Sequence, residues 1–232
     1  MVDYHSTKGG EKQTGTDGAI FNDNLSDVDA REFFVRVLKN LWAVTTDDAC
    51  IYWWFANANN LINRQAWEDT NWRMSQILVW IKNSMIFSMG QDYHRQYEPC
   101  MFGWKNGKTH FRNKIYSNFK DVINLDHQDF VEMFDVWYEK RDAMRDYIHP
   151  TQKPVRLCER ALKKNSEIGD IVIDLFSGSG STLIGCAQGG RVCRTMDLDP
   201  KFVEAGIRRY LRSYPDAQVK CLTRDVDMAL FK

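Results

Sequence analysis

The apolar run Ile171-Val-Ile-Asp-Leu175 leads through Gly178-Ser179-Gly180 into Ser181-Thr182, so a strand is expected to enter a tight turn that opens a helix. Glycines at such a turn let the backbone approach a ligand with no Cβ in between, and the new helix offers unpaired N–H groups to an anion. Asp197 follows the run from Arg191 to Met196, seventeen positions after Gly180. An acid at a second strand tip can accept hydrogen bonds from ribose hydroxyls, so the pattern suits a cofactor that carries a nucleoside. Position 183 is Leu where a dinucleotide loop has its third glycine, and Gly180 does not precede the Lys-Ser/Thr pair of a nucleoside-triphosphate loop. Asp174, at the strand end, suits an amino group rather than a pyrophosphate, and S-adenosylmethionine fits this set best. A purely structural turn in an α/β protein is the alternative on this pattern alone.

The elements that position these residues are legible as alternating strands and helices. A helix is expected to start at Ser26 or Asp27, with Phe34, Val37, Leu38, Leu41 and Trp42 on one face. Strands are expected at 50–55, 76–82, 98–104, 171–175 and 191–196, and helices at 58–69, from Pro154, 181–188 and 200–212. Residues 1–25 read as a loop, and 104–148 as polar and irregular, with an amphipathic stretch only over 128–146. This change of character divides the chain into segments over 1–103, 104–148 and 149–232.

The composition, 232 residues with 31 Lys plus Arg against 31 Asp plus Glu and 44% hydrophobic residues, belongs to a globular chain of one large domain. The balanced charge gives no overall argument for a polyanionic partner, so any nucleic-acid contact must rest on local charge. No apolar stretch is long enough for a membrane span and the N-terminus lacks a signal-peptide core, so a cytoplasmic location is expected. The cysteines Cys50, Cys100, Cys158, Cys186, Cys193 and Cys221 form no CxxC pair and have no clustered histidines, so free buried thiols are expected, with neither disulfides nor a metal site.

His149-Pro-Thr-Gln-Lys-Pro154, the glycine loop within Gly169–Thr182, and Met196-Asp-Leu-Asp-Pro200 resemble the C-terminal half of amino-group DNA methyltransferases of the permuted β class. The segments Asn22–Asp27, Gln76–Ser84 and Gln91–Pro99 extend the resemblance over nearly the whole chain. It implies a Rossmann-like S-adenosylmethionine-dependent methyltransferase fold in circularly permuted order, with a mostly parallel sheet covered by helices on both faces. It also implies a catalytic-half subdomain over 1–103, a target-recognition insert over 104–148 and a cofactor half over 149–232, with transfer of a methyl group to an exocyclic base amine of double-stranded DNA, adenine N6 ahead of cytosine N4. By the same resemblance Asp174, Phe176, Gly178, Gly180 and Thr182 line the methionine and loop side of the cofactor pocket, Asp197 takes the ribose, and Thr151 and Lys153 reach the methionine carboxylate. The plainer alternatives are helix caps for Asp197 and Asp199, core for Phe176, a solvated charge for Lys153 and a turn residue for His149.

One family feature is absent. Relatives carry an Asp/Asn/Ser-Pro-Pro-aromatic tetrapeptide, whose polar groups accept the amine hydrogens while its aromatic ring stacks on a flipped-out base. The prolines here, Pro99, Pro150, Pro154, Pro200 and Pro215, include no adjacent pair. Because a segment like Val2-Asp3-Tyr4 follows that tetrapeptide in relatives, the chain is expected to begin just past its catalytic motif. It is then expected to lack one central strand, to hold no catalytic residue, to be inactive alone and to need a complementing N-terminal polypeptide or second subunit. A catalytically dead cofactor- or DNA-binding remnant, or one part of a split enzyme, is the first alternative. A nicotinamide-dependent oxidoreductase, disfavoured by Leu183 and by the HPTQKP segment, is the second.

Residues 104–120 hold Lys105, Lys108, Arg112, Lys114 and Lys120 with no acid, interleaved with Trp104, Phe111, Tyr116 and Phe119. Such interleaving grips phosphates and stacks bases or sugars, and it falls where the family places target recognition. Lys105, Lys108, Arg112, Lys114, Tyr116 and Lys120 are the expected DNA contacts, with a solvated surface loop as the alternative.

Overall fold

The protein is described from a computed structural model covering residues 25–86, 89–90, 92–113, 133–143 and 147–222. The loop expected over residues 1–25 lies, Leu25 apart, outside them. Helix α1 (Asp27–Val44) begins where the Ser26 hydroxyl accepts the Asp29 N–H, and Asp27 and Asp29 complement its N-terminal dipole. The aromatic strand β1 (Cys50–Trp54) leads through one 3-10 turn to α2 (Asn60–Asp69). A long antiparallel ribbon follows, β2 (Trp72–Ile86) and β3 (Arg95–Lys105), extending past both expected strands.

These strands form a four-stranded sheet in the order β1-β3-β2-β4, where β4 (Val136–Tyr138) arises inside the segment expected to be irregular. β3 is antiparallel to both β1 and β2, whereas β4 is parallel to β2. The sheet is therefore mixed rather than mostly parallel, because β3, the one strand running against the others, sits between β1 and β2.

Strand alternation distributes the aromatic residues over two faces. Ile51, Trp53 and Met101 pack with Leu38 of α1 and with Ala66 and Trp67 of α2. Leu78, Trp80, Cys100, Phe102 and Trp137 pack on the other face with Leu157 of α3 (Val155–Asn165). Buried indole N–H groups find partners that lock the layers: Trp53 donates to Asn63 Oδ1 at 2.7 Å and Trp72 to the Leu38 carbonyl at 3.0 Å.

The chain then forms β5 (Ile171–Asp174), α4 (Ser181–Gly189), β6 (Val192–Thr195) and α5 (Pro200–Ser213). β5 and β6 make a separate parallel pair, and Asp199 caps α5 by accepting the Lys201 N–H. Among the described residues β1 and β5 are each paired along one edge only. Phe176, just past β5, links the two sheets, its ring 6.0 Å from Trp53 and 6.1 Å from Phe33. The six cysteines are free thiols; burial pushes Cys50 up to about 12 and Cys158 up to about 11, which makes both poor nucleophiles. No helix among the described residues is long and apolar enough to cross a membrane.

Gly103 carries the closest packing in the sheet. A Cβ there would stand 1.8 Å from the Arg73 carbonyl oxygen and 2.7 Å from the Trp67 ring, and the first of these is backbone. Gly103→Ala is expected to cost about 2 kcal/mol or more, as overpacking does where the neighbour cannot swing away. Urea unfolding followed by tryptophan fluorescence measures it, and an unchanged midpoint would show that β2 yields freely.

Candidate cofactor-binding site

Gly178 and Gly180 have φ of +48° and +75°, a left-handed conformation that side chains rarely adopt, and Gly180 forms the N-cap of α4. Asp174 at the end of β5 accepts the Phe176 N–H at 3.0 Å, while its carbonyl accepts the Met196 N–H at 2.9 Å. Asp197 accepts the Gly178 N–H at 2.7 Å and the Asp199 N–H at 3.0 Å. Asp197 thus holds the loop, and each of its oxygens keeps a lone pair for a ligand hydroxyl. Phe176, Met196 and Leu198, 53%, 60% and 66% exposed, give this acid an apolar surround of the kind a nucleobase needs.

Two side chains, His149 and Arg209, support the loop. The His149 ring would lie 3.3 Å from a Cβ at Gly178, packs at a tilt with its centre 4.1 Å from that of Phe202, and accepts the Thr151 N–H at 3.2 Å. Burial pushes its imidazole below the usual histidine value, against the opposing pull of Asp197. Arg209 donates to the Ser179 carbonyl, to Ser179 Oγ and to Ser181 Oγ at 3.2, 3.1 and 2.9 Å, and also reaches Asp142 at 3.2 Å. Asp142 in turn accepts the Gln152 amide at 2.6 Å, so the segment after β4 is tied to the glycine loop through one guanidinium.

Lys153 is not a solvated charge. Its carbonyl accepts the Ser181 hydroxyl at 2.5 Å, while its ammonium lies 3.5 Å from Glu98 and 5.6 Å above the Trp54 ring. Glu98 also binds the buried Lys82 at 2.6 Å. Burial would raise the Glu98 carboxyl, but the Lys153 and Lys82 ammoniums together outweigh it and hold it below its ordinary value.

Asp174, Phe176, Gly178, Gly180, Asp197, Thr151 and Lys153 therefore occupy one bonded neighbourhood. Thr182 is turned otherwise, its hydroxyl 3.7 Å from the Cys158 sulfur of α3. His149, Glu98 and Arg209 escaped sequence reasoning. A usable signal existed for Arg209, which falls on the helical stripe of Phe202 and Gly206.

The expected DNA contacts divide. Lys105 is buried, donates to the Thr45 carbonyl at 2.7 Å and sits 5.2 Å from the Trp42 ring centre, which corrects its assignment: it is a structural lysine that cannot reach a phosphate. Lys108 is exposed and pairs with Asp47 at 2.8 Å, and Arg112 is exposed. Both lie near Trp104, which pairs with Cys50 at the start of β1, whereas Trp53 near its end meets Phe176 beside the glycine loop. They therefore occupy the opposite end of the sheet from that loop. Lys114, Tyr116 and Lys120 lie outside the described residues.

The layers and the loop define an α/β protein of Rossmann-like build with a glycine turn between β5 and α4. Residues 9–208 match the DNA methylase family of N6 and N4 methyltransferases, and the chain belongs to that family. It is 38% identical over 61 residues to the DNA adenine methyltransferase YhdJ of Escherichia coli, a match covering 26% of this chain and 21% of that protein. The chain thus spans about a fifth of that relative's length. Among solved structures, the M1.HpyAVI–SAM complex superposes with a TM-score of 0.62 at 17% identity, covering 78% of this chain and 84% of that one. The cytosine-N4-specific PvuII DNA methyltransferase gives 0.63 at 13% identity, covering 79% and 71%. Among the described residues no group of three His, Cys, Asp or Glu side chains could hold a metal ion.

Two outcomes follow from the loop's supports. Arg209→Met removes a charged donor to the loop and is expected to cost about 2 kcal/mol locally; hydrogen exchange at residues 178–181 reads this, and unchanged protection would refute the clamp. Because the folded His149 value is depressed, the unfolded chain takes its proton first as pH falls through about 6.5. The stability tied to neutral His149 is complete above that pH and declines below it. Calorimetric melts from about pH 8 to about pH 5.5 should therefore show the wild-type Tm falling relative to that of His149→Gln; a constant difference would remove His149 from the pH response.

Proposed function

We propose that the chain binds S-adenosylmethionine at the Gly178–Gly180 turn and serves, in the cytoplasm, a DNA N-methyltransferase acting on double-stranded DNA, adenine N6 ahead of cytosine N4. The observation that carries this reading is the bonded set of Asp174, Phe176, Gly178 and Asp197 at the ends of two parallel strands. In it Asp174 takes the cofactor's amino group, Asp197 its ribose hydroxyls, Phe176 with Met196 and Leu198 its adenine face, and Thr151 with Lys153 its carboxylate. Gly178 and Gly180 let the backbone approach, and Thr182 fixes the floor of α4 against α3. The cofactor supplies a methyl group on a sulfonium; these residues bind and orient it. The M1.HpyAVI–SAM complex supports the donor, and the higher identity to an adenine methyltransferase supports the base. Free thiols suit a reducing compartment.

The acceptor amine needs two hydrogen-bond acceptors and a stacking ring, and the sequence has no adjacent prolines to supply the family's tetrapeptide. Among the described residues β1 and β5 each leave an edge unpaired, Phe176 and Trp53 touch between them, and Ile168 and Ile171 are 81% and 65% exposed beside β5. An extended segment carrying the tetrapeptide lies between β1 and β5 in the active enzyme, from whichever polypeptide bears it. It satisfies both edges and covers these isoleucines.

Calorimetric titration with S-adenosylhomocysteine and with NAD, and tritiated methyl transfer to mixed-sequence duplex with and without a synthetic strand ending in Asp-Pro-Pro-Tyr, test both parts. The expected result is binding of S-adenosylhomocysteine but not NAD, and transfer only with the added strand. Tighter NAD binding overturns the cofactor assignment. Rapid transfer by the chain alone overturns the need for the tetrapeptide, and binding without transfer in either case reduces the chain to a binding module.

A further inference from the structure

Lys82, Glu98 and Lys153 form a small ionic cluster whose charges do not balance. Glu98 stands opposite Trp80 in the β2–β3 ladder, and Lys82, two residues past Trp80, is its diagonal neighbour on the same face. The Lys82 ammonium is 3% exposed and meets Glu98 Oε1 at 2.6 Å, while the Gln96 amide donates to the Lys82 carbonyl at 3.0 Å and fixes the backbone there. The Lys153 ammonium is 24% exposed and meets the other oxygen, Oε2, at 3.5 Å. Glu98, held below its ordinary value by both ammoniums against its own burial, is a carboxylate at neutral pH. Among the described residues neither ammonium has a second carboxylate partner, so the cluster carries one surplus positive charge.

The two bonds differ in how easily they break. Parting Glu98 from Lys82 would strand a buried ammonium, whereas the Lys153 contact is longer than a direct hydrogen bond and opens toward solvent. Glu98 therefore stays paired when Lys153 leaves. The Lys153 carbonyl accepts the Ser181 hydroxyl at the start of α4, which keeps this residue beside the glycine turn whatever its ammonium does.

We propose that Lys82 is a positioning residue of the cofactor site: by holding Glu98 it lets Lys153 exchange that carboxylate for the one at the methionine end of S-adenosylmethionine. This rests on the cofactor reading above and explains how a lysine that is already paired can still take a ligand. In the free protein Glu98 screens Lys153. With cofactor bound, two cations face two anions and the surplus charge is gone. A nucleoside without a carboxylate leaves the Lys153–Glu98 contact as it is, so the exchange favours ligands that carry the amino-acid end.

Calorimetric titration of the full chain with S-adenosylhomocysteine and with methylthioadenosine, which keeps the nucleoside and sulfur but lacks the amino-acid end, tests this. Lys82→Gln leaves Lys153 as the sole partner of Glu98, so S-adenosylhomocysteine is expected to bind about tenfold more weakly. Glu98→Gln removes the competing carboxylate, and the same ligand is expected to bind about fivefold more tightly. The double variant strands no charge, so it carries the test even where a single variant fails to fold, and its affinity is expected within about twofold of wild type. Methylthioadenosine is expected to bind all four proteins alike. Opposite signs from the two members of one ion pair, confined to the ligand with a carboxylate, are a result that a merely structural pair does not give. Weaker S-adenosylhomocysteine binding by folded Glu98→Gln or by the double variant overturns the exchange, as does an affinity that none of the variants moves. A wild type that binds neither nucleoside, or binds NAD more tightly than S-adenosylhomocysteine, overturns the cofactor reading and the exchange together.

Discussion

The hydrogen bond from the Gly178 N–H to Asp197 governs the half of the molecule that holds β5 and β6. It draws the turn after β5 onto the end of β6, and the turn accepts it only because Gly178 and Gly180 tolerate positive φ. A carboxylate facing a backbone N–H makes a charge-assisted bond, stronger than a neutral one. With Asp197 in front and Arg209 behind, the loop is fixed from two sides before any ligand arrives, so less ordering entropy opposes binding. Gly206 completes the arrangement: its Cα lies 3.3 Å from where a Cβ would be on Gly180, close enough that α5 and the turn exclude a side chain between them.

A second constraint is electrostatic. Lys82, Glu98 and Lys153 connect β2, β3 and the segment before α3, with two cations, the buried Lys82 and Lys153, around one half-buried anion. Trp80 and Trp54 offer ring faces to the two ammoniums at 5.1 and 5.6 Å, compensating part of the water those charges lose. A buried pair of this kind contributes modestly when intact, but losing one partner strands a charge. Lys153 is therefore anchored beside the glycine turn by both its carbonyl and its ammonium.

Local features were the legible ones. The Ser26 cap, the aromatic strand β1, the glycine turn and the Asp199 cap each follow from a few adjacent residues, and the structure places them as the sequence implied. β4 was not legible because three residues carry no periodicity, and only the edge of β2 makes them a strand. The sheet's mixed character escaped for a related reason, since strand direction depends on connections rather than on local pattern. Lys105 looked like its basic neighbours; the Thr45 carbonyl and the Trp42 ring that bury it lie some sixty residues upstream. Charge counting along a segment locates positive residues, but which end of a sheet they occupy is a property of the register.

The uneven placement of indole rings has a spectroscopic consequence. All eight tryptophans fall between Trp42 and Trp137, in or beside the four-stranded sheet, and none in residues 149–232. The two sheets share no ladder among the described residues, so nothing in the backbone obliges them to melt together. Intrinsic tryptophan emission reports directly on one layer system and only indirectly on the half that carries the glycine turn. Tyr210 on α5 and Tyr214 just past its end, their rings 5.1 Å apart, are the natural chromophores for the silent half.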